Sequence, residues 1–244
     1  MSMWVIFRKE IQAFFNSMVG YIVLSIFLVG TGLFTWIFPQ TSLLNYGYAG
    51  LDTLFFITPF IYLFLIPAIT MRAFAEEKQQ GTIELLFTRP LTDYQIIIGK
   101  YLACWILVIF ALAPTLLYYF SIYELGATRG NIDSAATAGS YLGLILLGGV
   151  FTAIGILASA LTDNQIIAFI TAVFLCFILY AGFSSLANIS IWSNYSFIIS
   201  QLSLDFHYNA LSKGLIDSRN VIYFLSYIIL FLYLTKVTLE NLRK

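Results

Sequence analysis

The sequence predicts an all-α integral membrane protein with six transmembrane helices, an N-terminal interfacial helix and a helical cytoplasmic segment between the second and third spans. Three observations carry this. The 244 residues are 60% hydrophobic and 10% charged, with a mean hydropathy of +0.90, far too apolar for a water-soluble domain of this size. Apolar runs recur over residues 18–38, 54–71, 101–122, 141–161, 166–187 and 221–237, each within the roughly 17–25 residues that a helix needs to cross the hydrocarbon. The polar residues gather between these runs, leaving only short loops and no room for a sizeable soluble domain. The twelve basic and twelve acidic residues cancel, so net charge points to no nucleic-acid surface. Cys104 and Cys176 both fall inside apolar runs, which argues against a disulfide framework or a thiolate metal site.

Before the first span, residues 3–17 place Trp4, Phe7, Ile11, Phe14 and Phe15 on one helical face and Lys9, Gln12 and Asn16 on another. Such a helix rests its apolar face in the headgroup boundary, with Arg8 and Lys9 toward anionic lipid. The first apolar run starts only near Met18 and no small-residue cleavage site follows it, so a cleavable signal peptide is not expected.

Charge placement orients the spans. With the N-terminus in the cytoplasm, Arg8, Lys9, Arg72, Lys78, Arg89, Lys100, Lys236, Arg243 and Lys244 lie inside, against Arg129, Lys213 and Arg219 outside. Both termini, residues 72–100 and the turn at Thr162, Asp163, Asn164 and Gln165 are then cytoplasmic, and residues 188–220 face outward. That four-residue turn folds spans four and five into a helical hairpin. No Asp, Glu or His lies at mid-membrane depth, which weighs against a proton relay or an ion-coupled transporter.

Within the spans, packing dominates. Gly139, Gly143, Gly148, Gly149, Ala153, Gly155 and Ser159 form small-xxx-small pairs in the fourth, whose plain reading is close intramolecular contact. Pro59 and Pro67 in the second span and Pro114 in the third are expected to kink or locally split their helices. Phe174, Phe177, Tyr180 and Phe183 recur every three residues along the fifth, a stripe that either lines an apolar passage or faces lipid.

The segment 72–100 is richest in signals. Gly81 is placed to end one helix and Thr82 to cap the next, with Glu84 in its first turn. Pro90 breaks that short helix, and Thr92 with Gln95 has capping-box spacing, starting the next near Asp93. A short helix held off the bilayer in this way suits the docking of a cytoplasmic partner, and an ordinary solvated loop is the bland alternative.

The stretch TMRAFAEEKQQGTIELLFTRPLTDYQIIIGKY, residues 70–101, resembles the signature segment of ABC-2 type transporter permeases: Glu-Glu-x-x-x-Gly-Thr-x-Glu, a proline, then Gly-Lys opening the third span. The six-span layout extends the likeness over the whole chain as one permease domain, residues 1–244, of the type V exporter-like kind. More narrowly, GYIVLSIFLVGTGLFTWIFP, NYGYAGLDTLF and SRNVIYFLSYIILFLYLTKVTLE are similar to GldF, the gliding-motility-associated permease subunits. The resemblance implies a bacterial inner-membrane subunit that pairs with a second permease half and with ATP-binding subunits. For the narrower group these companions are a GldA-like ATPase and a GldG-like membrane protein. It assigns ATPase coupling to Glu76, Glu77, Gly81, Thr82 and Glu84, gives a second coupling contact to Thr162, Asp163, Asn164 and Gln165, and makes residues 188–220 re-entrant helices at the outer mouth.

No G-x-x-x-x-G-K-[ST] occurs, since Tyr101 follows Gly99 and Lys100, so ATP and Mg are expected on the partner and not on this chain. A membrane-embedded enzyme lacks its parts: His207 is the only histidine and no Gly-x-Ser-x-Gly elbow is present, leaving no catalytic, cofactor or metal residues to assign. Asp205 near it reads equally as a solvated acid. The sequons at Asn188 and Asn194 matter only in a glycosylating compartment. The remaining rival is an ATP-driven assembly that transmits force to, or regulates, an envelope machine without moving a solute.

Overall fold

The computed structural model describes residues 3–45, 48–88, 91–126, 130–189, 195–214 and 217–243, with Phe87 described in its backbone only. Arg89, Pro90, Arg129, Ser190, Asn194 and Lys244 lie outside them, and with them the predicted proline break, three of the charges that orient the chain and part of both sequons. The described residues form helices and turns without a strand, and six helices are long and apolar enough to span a membrane.

The chain opens with α1 (Met3–Phe15), then α2 (Met18–Gly32), which runs on as a π-helical turn over Leu33–Ile37. Span two is α3 (Asp52–Thr70), followed by the short α4 (Ala75–Gln79) and α5 (Ile83–Phe87). Span three is α6 (Asp93–Leu112) and α7 (Leu116–Leu125), joined through a 3₁₀ turn at Ala113–Thr115. Span four is α8 (Ser134–Leu161); span five is α9 (Gln165–Phe177), a π-helical turn at Ile178–Gly182 and α10 (Phe183–Ala187). The short α11 (Ser196–Ser200) and α12 (Leu204–Ser212) precede α13 (Ser218–Arg243), the sixth span.

The bundle is built around α8, which packs against α3, α6, α9, α12 and α13. The small residues make that possible. A Cβ at Gly155 would stand 2.0 Å from the Thr70 hydroxyl, and one at Gly139 2.4 Å from the Leu211 carbonyl. The stripe in span four is therefore a seam within one chain, joined to α3 at one end and to α12 at the other.

Helix ends follow local chemistry where the sequence is explicit. Thr92 Oγ1 accepts from Gln95 N and Gln95 Oε1 accepts from Thr92 N, so the capping box forms and α6 starts at Asp93 as predicted. Asn164 caps α9 by accepting from Ile166 N and Ile167 N, which closes the α8–α9 hairpin.

The prolines divide. At Pro114 span three does switch to 3₁₀ geometry. Neither Pro59 nor Pro67 interrupts α3, which runs unbroken over Asp52–Thr70. Pro59 has no N–H for the Phe55 carbonyl, and the Tyr208 hydroxyl of α12 donates to it instead at 2.8 Å.

The interfacial helix also departs from its sequence reading. Ile6, outside the predicted apolar face, is its buried residue and rests on Gly99 of α6, whereas Trp4 is 65% exposed. Lys9 does not turn toward lipid: it pairs with Glu77 at 3.0 Å. Helix α1 thus packs on the bundle as well as presenting an outer face.

Candidate functional site

The sequence points to the elbow formed by α4 and α5, and its geometry follows from how α4 is held. Five residues cannot sustain a helix on their own. The N–H groups of Phe74 and Ala75, which no carbonyl within α4 satisfies, both donate to Ser159 Oγ of α8, at 2.9 and 3.0 Å; that hydroxyl donates in turn to the Met71 carbonyl at 2.9 Å. Lys78 Nζ caps the carbonyl end of α8 by donating to Ala160 O. Elbow and α8 therefore move as one piece at this end.

A buried ionic cluster backs the elbow from below. Lys100, two turns inside α6, is 1% exposed; its ammonium donates to Glu10 Oε1 of α1 at 2.7 Å and to the Ala73 carbonyl at 2.6 Å. It also lies 3.0 Å from Glu77 Oε2 as an ion pair outside hydrogen-bond alignment, and 5.1 Å from the centre of the Phe74 ring. Lys9 completes the set through Glu77 Oε1. Two cations and two carboxylates so close a charge-balanced network across α1, α4 and α6. Such a pair stabilises little net, yet removing one partner leaves a buried charge bare and costs about 3–5 kcal/mol.

This corrects the assignment of the predicted coupling residues. Glu77, expected to meet a partner, is turned inward, its side chain 14% exposed, and it positions the elbow from behind. Glu76 is half-buried at the rim of a cavity under α1 and accepts from the exposed Gln80 amide at 3.4 Å. Gly81 ends α4 with φ +69°, the left-handed conformation that glycine tolerates, as its position predicted. Thr82 is not the side-chain cap of α5: its hydroxyl donates back to the Glu77 carbonyl at 3.3 Å. What the elbow presents outward is Gln79, Gln80, Thr82, Glu84 and Leu85.

The second predicted contact lies at the same end. Asp163 and Asn164 are exposed in the α8–α9 turn, while Thr162 accepts from Asn164 N and Gln165 is half-buried. Since Lys78 holds the last turn of α8, elbow and turn are brought to one face of the bundle.

The aromatic stripe is not brought together. Phe174 and Phe177 point outward, 62% and 48% exposed, and Phe183 is half-buried. Only Tyr180 is buried, in the π-helical turn, where it borders a cavity of about 480 Å³, at the end of the bundle away from the elbow, together with Phe60, Asp52 and Asp205. Three residues span 300° of an α-helix, so such a stripe drifts about 60° per step, and the wider π turn shifts it again. Short helices close the bundle beside this cavity: Ser203 Oγ donates to the Tyr180 carbonyl at 2.5 Å, and α12 buries Leu204, Tyr208 and Leu211. His207 is engaged structurally, stacked on Tyr223 with ring centres 3.8 Å apart and with ring nitrogens 2.7 Å from Asn220 Oδ1 and 2.9 Å from Gln201 O.

Lys100, read from the sequence as a topology charge and as part of the Gly-Lys opening the third span, is the hub of the buried network, a role that reading missed. A lysine seven residues past a secure helix start, inside the run IIIGKYLAC, needs a buried partner, and that was the available signal.

A bundle of six candidate spans centred on the buried α8, itself the fourth, with a braced elbow at one end, is the architecture of a polytopic membrane protein. The chain belongs to the ABC-2 family of transporter proteins, whose model matches residues 4–241. That family makes it the membrane component of a transporter whose ATPase is a separate ABC subunit. No curated protein matches the chain significantly.

Proposed function

We propose that this chain is the permease subunit of an ATP-driven ABC exporter associated with gliding motility, lying in a bacterial inner membrane with both termini in the cytoplasm. It works with a GldA-like ATPase that holds ATP and Mg, with a second permease half and with a GldG-like membrane protein. The ATPase docks on the outward face of the elbow and on the neighbouring turn, chiefly through Thr82, Glu84, Leu85, Asp163 and Asn164. The single observation that supports this reading most is the pairing of an exposed Leu85–Glu84 face with a rigid back: the face is free to bind, and the Ser159, Ala160 and Lys100 contacts carry its displacement into α8 and α6. Closure of the nucleotide-bound ATPase then rocks these spans as near-rigid bodies.

The test is reconstitution of the chain with its ATPase in lipid. Glu84→Arg combined with Leu85→Asp is expected to abolish the permease-dependent part of ATP turnover while the bundle inserts and melts as before. Unchanged turnover would overturn the docking assignment. Orientation has its own test: an impermeant thiol reagent should leave a Gln79→Cys variant unlabelled in intact cells, and labelling would place the elbow outside. Both native cysteines are buried, which keeps the background low.

A force-transmitting assembly remains the second reading, favoured by the packed axis of the bundle, where 89% of the apolar stretch of α8 is buried. Envelope extracts that raise ATP turnover support export; a turnover indifferent to all of them, with an external partner on residues 188–220, supports force transmission.

A further inference from the structure

The elbow network neutralises Lys9, Lys100, Glu10 and Glu77, yet two opposite charges beside it stay unmatched. Arg72 follows the end of α3 by two residues. Its guanidinium makes one hydrogen bond, from NH1 to Ser17 Oγ at 3.3 Å; its Nε–H is buried with no partner, and no carboxylate of the described residues pairs with it. Glu76 accepts only the amide of Gln80 and meets no cation among the described residues. A buried donor without a partner is costly, and native structures satisfy such groups with protein, water or ligand.

Both residues line one cavity of about 550 Å³, enclosed by α1, the end of α3, α4 and α6. Its walls are divided. Arg72 and Glu76 join the mutually paired Lys9, Glu10, Glu77 and Lys100 on the polar side, and Phe14, Val19, Ile69 and Leu107 form an apolar side that reaches into the spans. The order from polar to apolar is that of a lipid headgroup above its chains. Arg72 matches a phosphate bidentately, and Glu76 matches a hydrogen-bonding ammonium.

We infer that this cavity under α1 binds one phospholipid with a phosphoethanolamine headgroup, its phosphate on Arg72 and its ammonium on Glu76. An anionic headgroup such as phosphoglycerol satisfies Arg72 but sets no cation against Glu76. A phosphocholine carries a cation with no N–H to donate. The preference for ethanolamine over both therefore belongs to Glu76, and general phospholipid affinity belongs to Arg72. This inference depends on neither the transport direction nor the ATPase contact.

The experiment is native mass spectrometry of the full chain, delipidated in detergent and titrated with phosphatidylethanolamine, phosphatidylglycerol or phosphatidylcholine, with inorganic phosphate and soluble phosphoethanolamine as competitors. Phosphatidylethanolamine should be retained most tightly. Arg72→Gln should weaken all three lipids, by about tenfold for the preferred one. Glu76→Gln should weaken phosphatidylethanolamine alone and bring it level with phosphatidylglycerol. Should Arg72→Gln fail to fold, Ala13→Trp, which fills the cavity from α1 without touching either charge, should displace the lipid instead. Equal lipid preference in the parent and Glu76→Gln proteins, retention in Ala13→Trp, or displacement by inorganic phosphate at the concentration of the lipid would each overturn the assignment.

Discussion

Both ends of the bundle carry a pair of short helices, and they are held in opposite ways. At the end away from the elbow α12 buries Leu204, Tyr208 and Leu211 and lends a hydroxyl to the carbonyl that Pro59 leaves free. It is part of the wall. At the other end α5 exposes Glu84 and Leu85, and its neighbour α4 is pinned by hydroxyl, carbonyl and ionic contacts. Helix α12 closes the structure with apolar burial, although its neighbour α11 buries none of its residues and exposes Phe197 and Ile198; α5 presents an unburied face beside a helix pinned to α8.

That contrast can be broken from either side. The largest effect should come from the seam that both ends share: Gly155→Leu drives a side chain into Thr70, and the protein should fail to accumulate in the membrane, read by detergent-extracted yield. Next, Lys100→Met should destabilise the elbow end by about 3–5 kcal/mol, seen as a lowered melting temperature, because Glu10 loses its cation and Glu77 keeps only the exposed Lys9. Adding Glu10→Gln and Glu77→Gln should restore much of that loss, and a triple variant as unstable as the single one would contradict the network. Tyr208→Phe at the end away from the elbow removes one hydrogen bond to a proline-freed carbonyl and should lower stability by only about 0.6–2 kcal/mol. The smallest effect on stability belongs to Glu84→Arg with Leu85→Asp, within about 0.5 kcal/mol, since neither side chain is packed; a large fall in melting temperature would mean that α5 is a wall like α12.

Much of this was legible beforehand because the bilayer imposes strong local rules. Apolar runs of span length, the Thr92–Gln95 box, the Asn164 turn and the glycine at the end of α4 each follow from residues within one or two turns of one another. The inward rotation of Glu77 was not legible. Which face a five-residue helix turns inward depends on Ser159 and Lys100, which are distant in sequence. The π turns at Leu33–Ile37 and Ile178–Gly182 carried no recognised sequence signal, and the stripe argument failed at the second of them.

The sequence by itself determined the six apolar helices, their approximate ends and the polar segment that interrupts them, because hydrophobic length and backbone hydrogen bonding leave a chain in lipid few other choices. Tertiary structure alone decided which carboxylates are spent inside, which residues remain on the outward face of the elbow, and where Arg72 and Glu76 are left unmatched. Charge pairing acts over a few ångströms of space, and folding brings together residues as far apart in the chain as Glu10 and Lys100.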